Sequence, residues 1–299
     1  MSIAHEFDYE RPQELKNALQ LKDKHKDKAL IYAGGTDLIV NIKEGMMKPE
    51  LLIDIKDIAD LHKLSLEKSI LYIGAAVTFT ELIDSAFVKC SCPMLYDASS
   101  TVASTGVRSR ATLVGNICTA VPCLDSAPAL LCYDAIIHCA SVSGVRDIPV
   151  SDWFLARRKT AIKDNEMVVG ISLPIPKDKS SSIYLKLGRY GGEDLAQAGW
   201  GFWMNESKQY RIAHCALAPK PARASKIEAL LKGKELSDQL ITEAVALLSQ
   251  EINPIADIRS SKEYRIHMSG VMLKRGLYAL KDRLNGLEVE PAKLLGGIA

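Results

Sequence analysis

Two short stretches combine the residue types that hold a phosphate-bearing ligand: AGGTDL, Ala33 to Leu38, and ATLVGN, Ala111 to Asn116. Glycine lets a ligand approach the backbone and permits positive φ, while threonine hydroxyls and free backbone N–H groups donate hydrogen bonds. Neither stretch is a G-x-G-x-x-G fingerprint, and neither is a P-loop, because no Gly-Lys-Ser/Thr follows. Taken together they say more, since two Gly/Thr loops in one domain can hold both sides of a diphosphate through backbone donors without a lysine-rich pocket. The second lies inside a longer crowded segment, ASTGVRSRATLVGNICTAVPCLDSAP, Ala103 to Pro128. There Asp125 is a carboxylate in an apolar context, also well placed to cap a helix beginning at Ser126.

Other chemistry is poorly served. Cys118 and Cys123 have the C-x4-C spacing that opens a plant-type iron–sulfur motif, but the third position is Ser126. Cys90 and Cys92 have no neighbouring His or Cys to complete a zinc site, so no metal centre is expected in this chain. There is no G-x-S-x-G elbow, and the histidines are scattered. His138, His214 and His267 fall on apolar segments, where hydrogen-bonded structural roles are expected.

The elements that must position the loops follow from the patterning. Pro12 suits the first position of a helix carrying Leu15, Ala18 and Leu19, with KDKHKDK as its solvated end. ALIYA reads as a strand broken by Gly34-Gly35, followed by a short helix or turn and a second strand, LLIDI. LYIGAAVTF predicts another strand, Thr80 to Ala86 a short helix, and Pro93 opens a helical segment that delivers the chain to the second loop. APALLCYDA predicts a buried helix, AIIHCAS and GVRDIPV two strands turning at Ser143-Gly144, and EMVVGISL a further strand. PIPKDKSSS, Pro174 to Ser182, has the composition of a linker. Beyond it, IYLKLGR, AGWGFWM and YRIAHCALA are spaced as a three-stranded antiparallel meander. Helices are expected over 224–232, 238–250 and 261–284, the last with Tyr264, His267, Met268, Val271, Met272 and Leu277 on one stripe.

At 299 residues, 47% hydrophobic and 25% charged, the chain can build a substantial core. A net charge of +2 gives no case for nucleic-acid or membrane-surface binding. No window approaches the roughly 20 apolar residues of a membrane span, and the amino-terminal residues lack the apolar region of a secretory signal. Seven cysteines, mostly within apolar runs, fit reduced thiols packed as small hydrophobes. A cytoplasmic protein is expected.

AGGTDL, GVRSRATLVGNICTAVPCLDSAPALL, YLKLGR…EDLA and SSKEYRIHM, in this order over nearly the full length, resemble the FAD-binding medium subunit of molybdenum hydroxylases, of the xanthine dehydrogenase and carbon monoxide dehydrogenase groups. The resemblance implies an α+β fold. A two-subdomain FAD-binding module of the vanillyl-alcohol oxidase type spans 1–175, divided near 56, and a carboxy-terminal sheet-plus-helices domain spans 180–290. It implies FAD contacts from Ala33, Gly34, Gly35, Thr36, Asp37 and Leu38 in the first loop and from Ala111, Thr112, Gly115, Asn116 and Cys118 in the second. Asp125 falls near the flavin or ribityl chain, Val102 and Ala103 on the adenine side, Val168 on a cofactor-contacting strand, and Lys186 at a basic position nearby. RYGGEDLA, Arg189 to Ala196, resembles a loop bordering the flavin face where NAD enters. Many relatives carry two glycines before the asparagine where this chain has Val114-Gly115-Asn116, so FAD binding requires an ordinary backbone conformation at Val114.

The implied function is electron transfer within a heteromeric oxidoreductase. A large subunit would hold the molybdenum cofactor and a small one two [2Fe-2S] clusters, in a dimer of heterotrimers, with NAD or another acceptor receiving electrons from FAD. No side chain here need act in the hydroxylation step. A free-standing FAD-dependent oxidase and a structural subunit that has lost FAD are the alternatives.

Overall fold

The computed structural model describes residue 3, residues 5–190 and residues 193–295. Three sheets follow one another along the chain, in the expected α+β arrangement. The first is small and parallel. Strands β1 (Asp8–Glu10) and β2 (Ala29–Tyr32) flank the fully buried β3 (Leu51–Asp54), with helix α1 (Leu15–His25) joining β1 to β2 and α2 (Leu38–Lys43) joining β2 to β3. Helix α1 starts three residues after Pro12, because Arg11 and Gln13 are held outside it by Asp57, at 2.6 and 3.0 Å. Nor is the KDKHKDK segment wholly solvated. Lys22 is buried, its ammonium given to the carbonyls of Lys26 and Ala29 at 2.7 and 2.8 Å.

The second sheet is antiparallel, in the order β4-β5-β10-β6-β7. It comprises β4 (Leu64–Glu67), β5 (Ile70–Gly74), β6 (Ile136–Ser141), β7 (Gly144–Pro149) and β10 (Met167–Pro174), with a hairpin of β8 (Phe154–Ala156) and β9 (Lys159–Thr160) inserted before β10. Strand β5 stops at Gly74, short of the apolar run, because Gly74 lies where a Cβ would stand 2.2 Å from the Leu61 carbonyl oxygen. Six helices intervene between β5 and β6: α3 (Phe79–Asp84), α4 (Ala86–Ser91), α5 (Pro93–Ser100), α6 (Thr105–Arg108), α7 (Leu113–Thr119) and α8 (Ser126–Cys132). Thr78 and Glu81 cap α3 reciprocally, the Thr78 hydroxyl accepting the Glu81 N–H at 3.2 Å and the Glu81 carboxylate accepting the Thr78 N–H at 2.7 Å. A short helix α9 (Val150–Trp153) precedes β8.

The third sheet has four strands, one more than the meander expected: β11 (Ser180–Leu187), β12 (Ala198–Asn205), β13 (Tyr210–Cys215) and the two-residue β14 (Ala222–Arg223). Ser180 to Ser182 belong to β11 rather than to a linker. Ser181 and Ser182 are buried, their hydroxyls bonded to the Leu280 carbonyl and to Tyr133 at 2.7 and 2.8 Å. Every residue of β12 is buried, because α5 and α8 pack on the sheet from the second unit while the long carboxy-terminal helix packs on it from the other side. The remaining helices are α10 (Ser225–Leu231), α11 (Asp238–Ala246), α12 (Leu248–Glu251), α13 (Lys262–Leu284) and α14 (Pro291–Leu294). On α13 the buried face runs through Arg265, Ser269, Met272, Leu273 and Leu277, leaving Tyr264 and His267 exposed. The expected stripe shares Met272 and Leu277 with this face but departs from it in the first turns, where Arg265 and Ser269 take the buried positions. Arg265 reaches Asp257 at 2.7 Å and the Gln197 carbonyl at 2.9 Å, so its charge is paired inside the fold although its Nε has no partner. Among the described residues, no helix is long and apolar enough to cross a membrane.

Of the three histidines, His138 bonds to Asp147 and Ser172, each at 2.7 Å, as expected of a structural role. His214 does not. Fully buried on β13 opposite Trp200, it has no hydrogen-bond partner for either ring nitrogen. Burial pushes its imidazole down to about 4. Below its ordinary value near 6.5 the unfolded chain takes up a proton that the folded chain refuses, so stability falls as pH drops from about 6.5 towards 4. Unfolding free energies at about pH 7 and pH 4.5 should differ by about 2–3 kcal/mol more in the wild type than in His214→Leu; equal pH dependence in urea melts would rule this out.

Candidate functional site: a cleft between two glycine loops

The two loops meet in the structure. After β2, the chain turns at Gly35 with φ +73°, over the ring of Tyr32, and runs through Thr36 and Asp37 into α2. Gly34 lies against the second loop so closely that a Cβ would stand 2.1 Å from the Arg110 carbonyl oxygen and 2.9 Å from the Ala111 Cα. Only glycine allows that approach. Beneath the first loop, Lys56 sits 3.6 Å from the centroid of the Tyr32 ring and binds Asp54 at 2.6 Å. Burial pushes the Asp54 carboxyl up, but hydrogen bonds from Lys56 and Tyr9 outweigh it and hold the group below the usual carboxylate range.

The second loop is pinned from the other side. The Ala111 carbonyl accepts the Phe79 N–H at 3.0 Å, and Thr112 bridges to Thr78. Thr112 then caps α7, its hydroxyl accepting the Gly115 N–H at 2.9 Å. Val114 lies within α7, is mostly buried and has no positive φ, so the valine imposes no backbone strain. Asn116 accepts a hydrogen bond from Ser126 at 2.7 Å, which fixes its amide with the nitrogen left free to donate.

Between the loops is a cleft of about 490 Å³. Ala33, Gly34, Gly35, Thr36, Asp37, Leu38, Ala111, Thr112, Gly115, Asn116, Cys118 and Val168 all line it. Val168 enters at a β-bulge, where β10 shifts register against β6 between Val168 and Gly170. The sequence reading missed other wall residues, including Lys22, Asp164 and Arg158. Lys22 lies near the end of α1, Arg158 in the β8–β9 hairpin and Asp164 in the turn before β10, with no motif spacing to mark them.

Val102, Ala103, Asp125 and Lys186 are not on the cleft wall; they form a second cluster behind it. Lys186 binds Asp125 at 2.9 Å and the Thr101 carbonyl at 2.8 Å, and the Tyr184 hydroxyl donates to the other Asp125 oxygen at 2.7 Å. Burial pushes the Asp125 carboxyl up, opposed by Lys186 and Tyr184. Asp125 stands at the N-cap of α8 but makes no capping bond, because its oxygens are taken by these partners. Arg108 holds the Val102 and Ala103 carbonyls at 2.8 and 2.7 Å, stabilising positive φ at Ala103. Ser126, next to Asp125, joins this cluster to Asn116 and the cleft. In the RYGGEDLA segment Tyr190 and Leu195 are exposed, and Gly191 and Gly192 lie outside the described residues.

Residues 5–176 match the family described as the FAD binding domain in molybdopterin dehydrogenase, and residues 183–280 match the CO dehydrogenase flavoprotein C-terminal domain. The chain belongs to this family. It is 31% identical over 280 residues to the carbon monoxide dehydrogenase medium chain of Afipia carboxidovorans, covering 93% of this chain and 97% of that one. The similarity to the xanthine dehydrogenase FAD-binding subunit of Escherichia coli O157:H7 is 29% over 273 residues, 89% of this chain and 93% of that one. A solved carbon monoxide dehydrogenase chain from Hydrogenophaga pseudoflava superposes with a TM-score of 0.90 at 31% identity, over 95% of this chain and 99% of that one.

The cleft fits the FAD of this family on its own geometry. A side chain at Gly34 would collide with Arg110, at 2.1 Å, so the first loop closes on the second. The N–H groups of Gly34, Gly35 and Thr36 donate to no backbone acceptor among the described residues, whereas those of Ala111, Leu113, Gly115 and Asn116 are already bonded within the fold. Thr36→Glu places a carboxylate on that wall and is expected to lower bound flavin at least tenfold, read from absorbance of the purified protein, with little change in the melting of the flavin-free chain. Lys186→Met strands a buried carboxylate and should cost about 3–5 kcal/mol in urea unfolding of the flavin-free chain. Asp125→Asn added to it should restore part of that loss, and no recovery would show that the pair does not act as one unit.

Proposed function

We propose that the chain is the FAD-carrying medium subunit of a heteromeric molybdenum hydroxylase. The observation that carries this reading is the convergence of the two glycine loops on one cleft, within a chain matched over both halves by the family. Bound there, FAD would supply the acceptance of electrons and their release to NAD or another acceptor. The protein's part is to hold it. Ala33 to Leu38 and Ala111 to Asn116 would surround the diphosphate, Cys118 and Val168 would close the wall, and the Asp125–Lys186 pair with Val102 and Ala103 would support the cofactor from behind. The domains on this reading are 1–175, in two subdomains meeting near 56, and 180–290.

Carbon monoxide, caffeine, nicotinate and glyceraldehyde dehydrogenases among the relatives share this subunit type, so the hydroxylated substrate belongs to a partner. That partner would be a large molybdenum-cofactor subunit, joined by a small [2Fe-2S] subunit in a dimer of heterotrimers in the cytoplasm. The medium-chain names of the relatives support such an assembly.

Purified from its native source, the complex should show flavin absorbance, and heat denaturation should release FAD. The polypeptides that copurify should include a molybdenum-cofactor subunit. A colourless complex with full activity would overturn the reading, whereas bleaching of the flavin by a substrate with this chain alone would favour a free-standing oxidase.

A further inference from the structure

The charges on the cleft wall are not balanced for a diphosphate. Asp27, Asp37, Asp164 and Glu166 face Lys22, Lys163 and Arg158 around one cavity. Several of these are already committed. Lys22 spends its ammonium on two backbone carbonyls, and Glu166 is held by Arg146 at 3.0 and 2.7 Å. Arg146 neutralises Glu166, whereas Lys22, bonded to neutral carbonyls, keeps its charge near Asp27 and Asp164. Three carboxylates thus face three cations, and a diphosphate brings further negative charge. Backbone amides can solvate phosphate oxygens but carry no net charge to offset it.

Arg158 is the cation that the fold places for that purpose. It occupies the tip of the β8–β9 hairpin with φ +57°, and its backbone N–H is donated to the Ala120 carbonyl at 2.8 Å. Ala120 is itself the left-handed cap of α7, the helix that begins at Thr112. The hairpin tip is thus fastened to the far end of the element that carries the second glycine loop. Across the cleft, the Arg158 charge acts on Asp37 at the end of the first loop and opposes the upward push of burial on that carboxyl. Neither side chain has a hydrogen-bond partner among the described residues. Lys163 also lines the cleft and, like Arg158, is exposed, but it offers a point charge rather than a planar fork and no comparable anchor to α7.

We infer that Arg158 binds the diphosphate of the dinucleotide, its guanidinium closing on the phosphate oxygens from the side opposite the first loop. The inference rests on the FAD reading above and adds a binding residue to it. With the dinucleotide present, its phosphate would be a stronger acceptor for the guanidinium than Asp37.

The test is a titration of the full-length chain, stripped of flavin, with FAD and with riboflavin, which has no phosphate, at low and high salt. Arg158→Asn suits the left-handed backbone position. It should weaken FAD binding by about tenfold to a hundredfold, flatten its salt dependence and leave riboflavin affinity unchanged. Arg158→Lys should fall between this variant and the wild type, and Lys163→Gln should stay within about twofold of wild type. Wild-type FAD affinity and salt dependence in Arg158→Asn would overturn the inference alone, as would equal losses for FAD and riboflavin. A wild-type chain that takes up no FAD at all would overturn the flavin reading itself.

Discussion

The contact between Gly34 and the Arg110–Ala111 backbone is the constraint on which the site depends. It joins a loop of the parallel sheet to a loop inserted deep in the antiparallel one, and it tolerates no side chain. Each loop is braced from its own side, the first by the Tyr9–Asp54–Lys56–Tyr32 stack and the second by the Thr78–Thr112 bridge and the capped helix beyond it. The cleft is therefore made by two braced walls brought together, with their backbone fixed before any ligand arrives. Such preorganisation reduces the ordering cost of binding.

Much of this was legible in the sequence because it is local. AGGTDL and ATLVGN announce themselves through glycine and threonine at short spacing, and the strand preceding the first is a short-range consequence; the helix that Thr112 caps, beginning inside the second, is not among the expected elements. Val114 reads as a loop residue because no signal marks α7, a helix of seven residues; within that helix a valine is ordinary.

What the sequence concealed depends on contacts between distant segments. Asp125 had the right position for a helix cap, yet Tyr184 and Lys186, some sixty positions away, take both its oxygens. The buried face of α13 is led by Arg265 and Ser269, which no hydrophobic pattern would select: the Arg265 charge is met by a carbonyl and an aspartate from other elements, while the Ser269 hydroxyl is buried without a partner. Arg158 is one of many surface-type cations in the sequence, and only the closing of the hairpin onto Ala120 gives it a place on the cleft.

The Asp125–Lys186 pair spans the two matched regions, the aspartate lying in 5–176 and the lysine in 183–280. Neither charge is comfortable in the interior without the other. The two matched regions are therefore coupled through one buried ion pair: a change on either side that removes one charge strands the other, whereas losing both together need not.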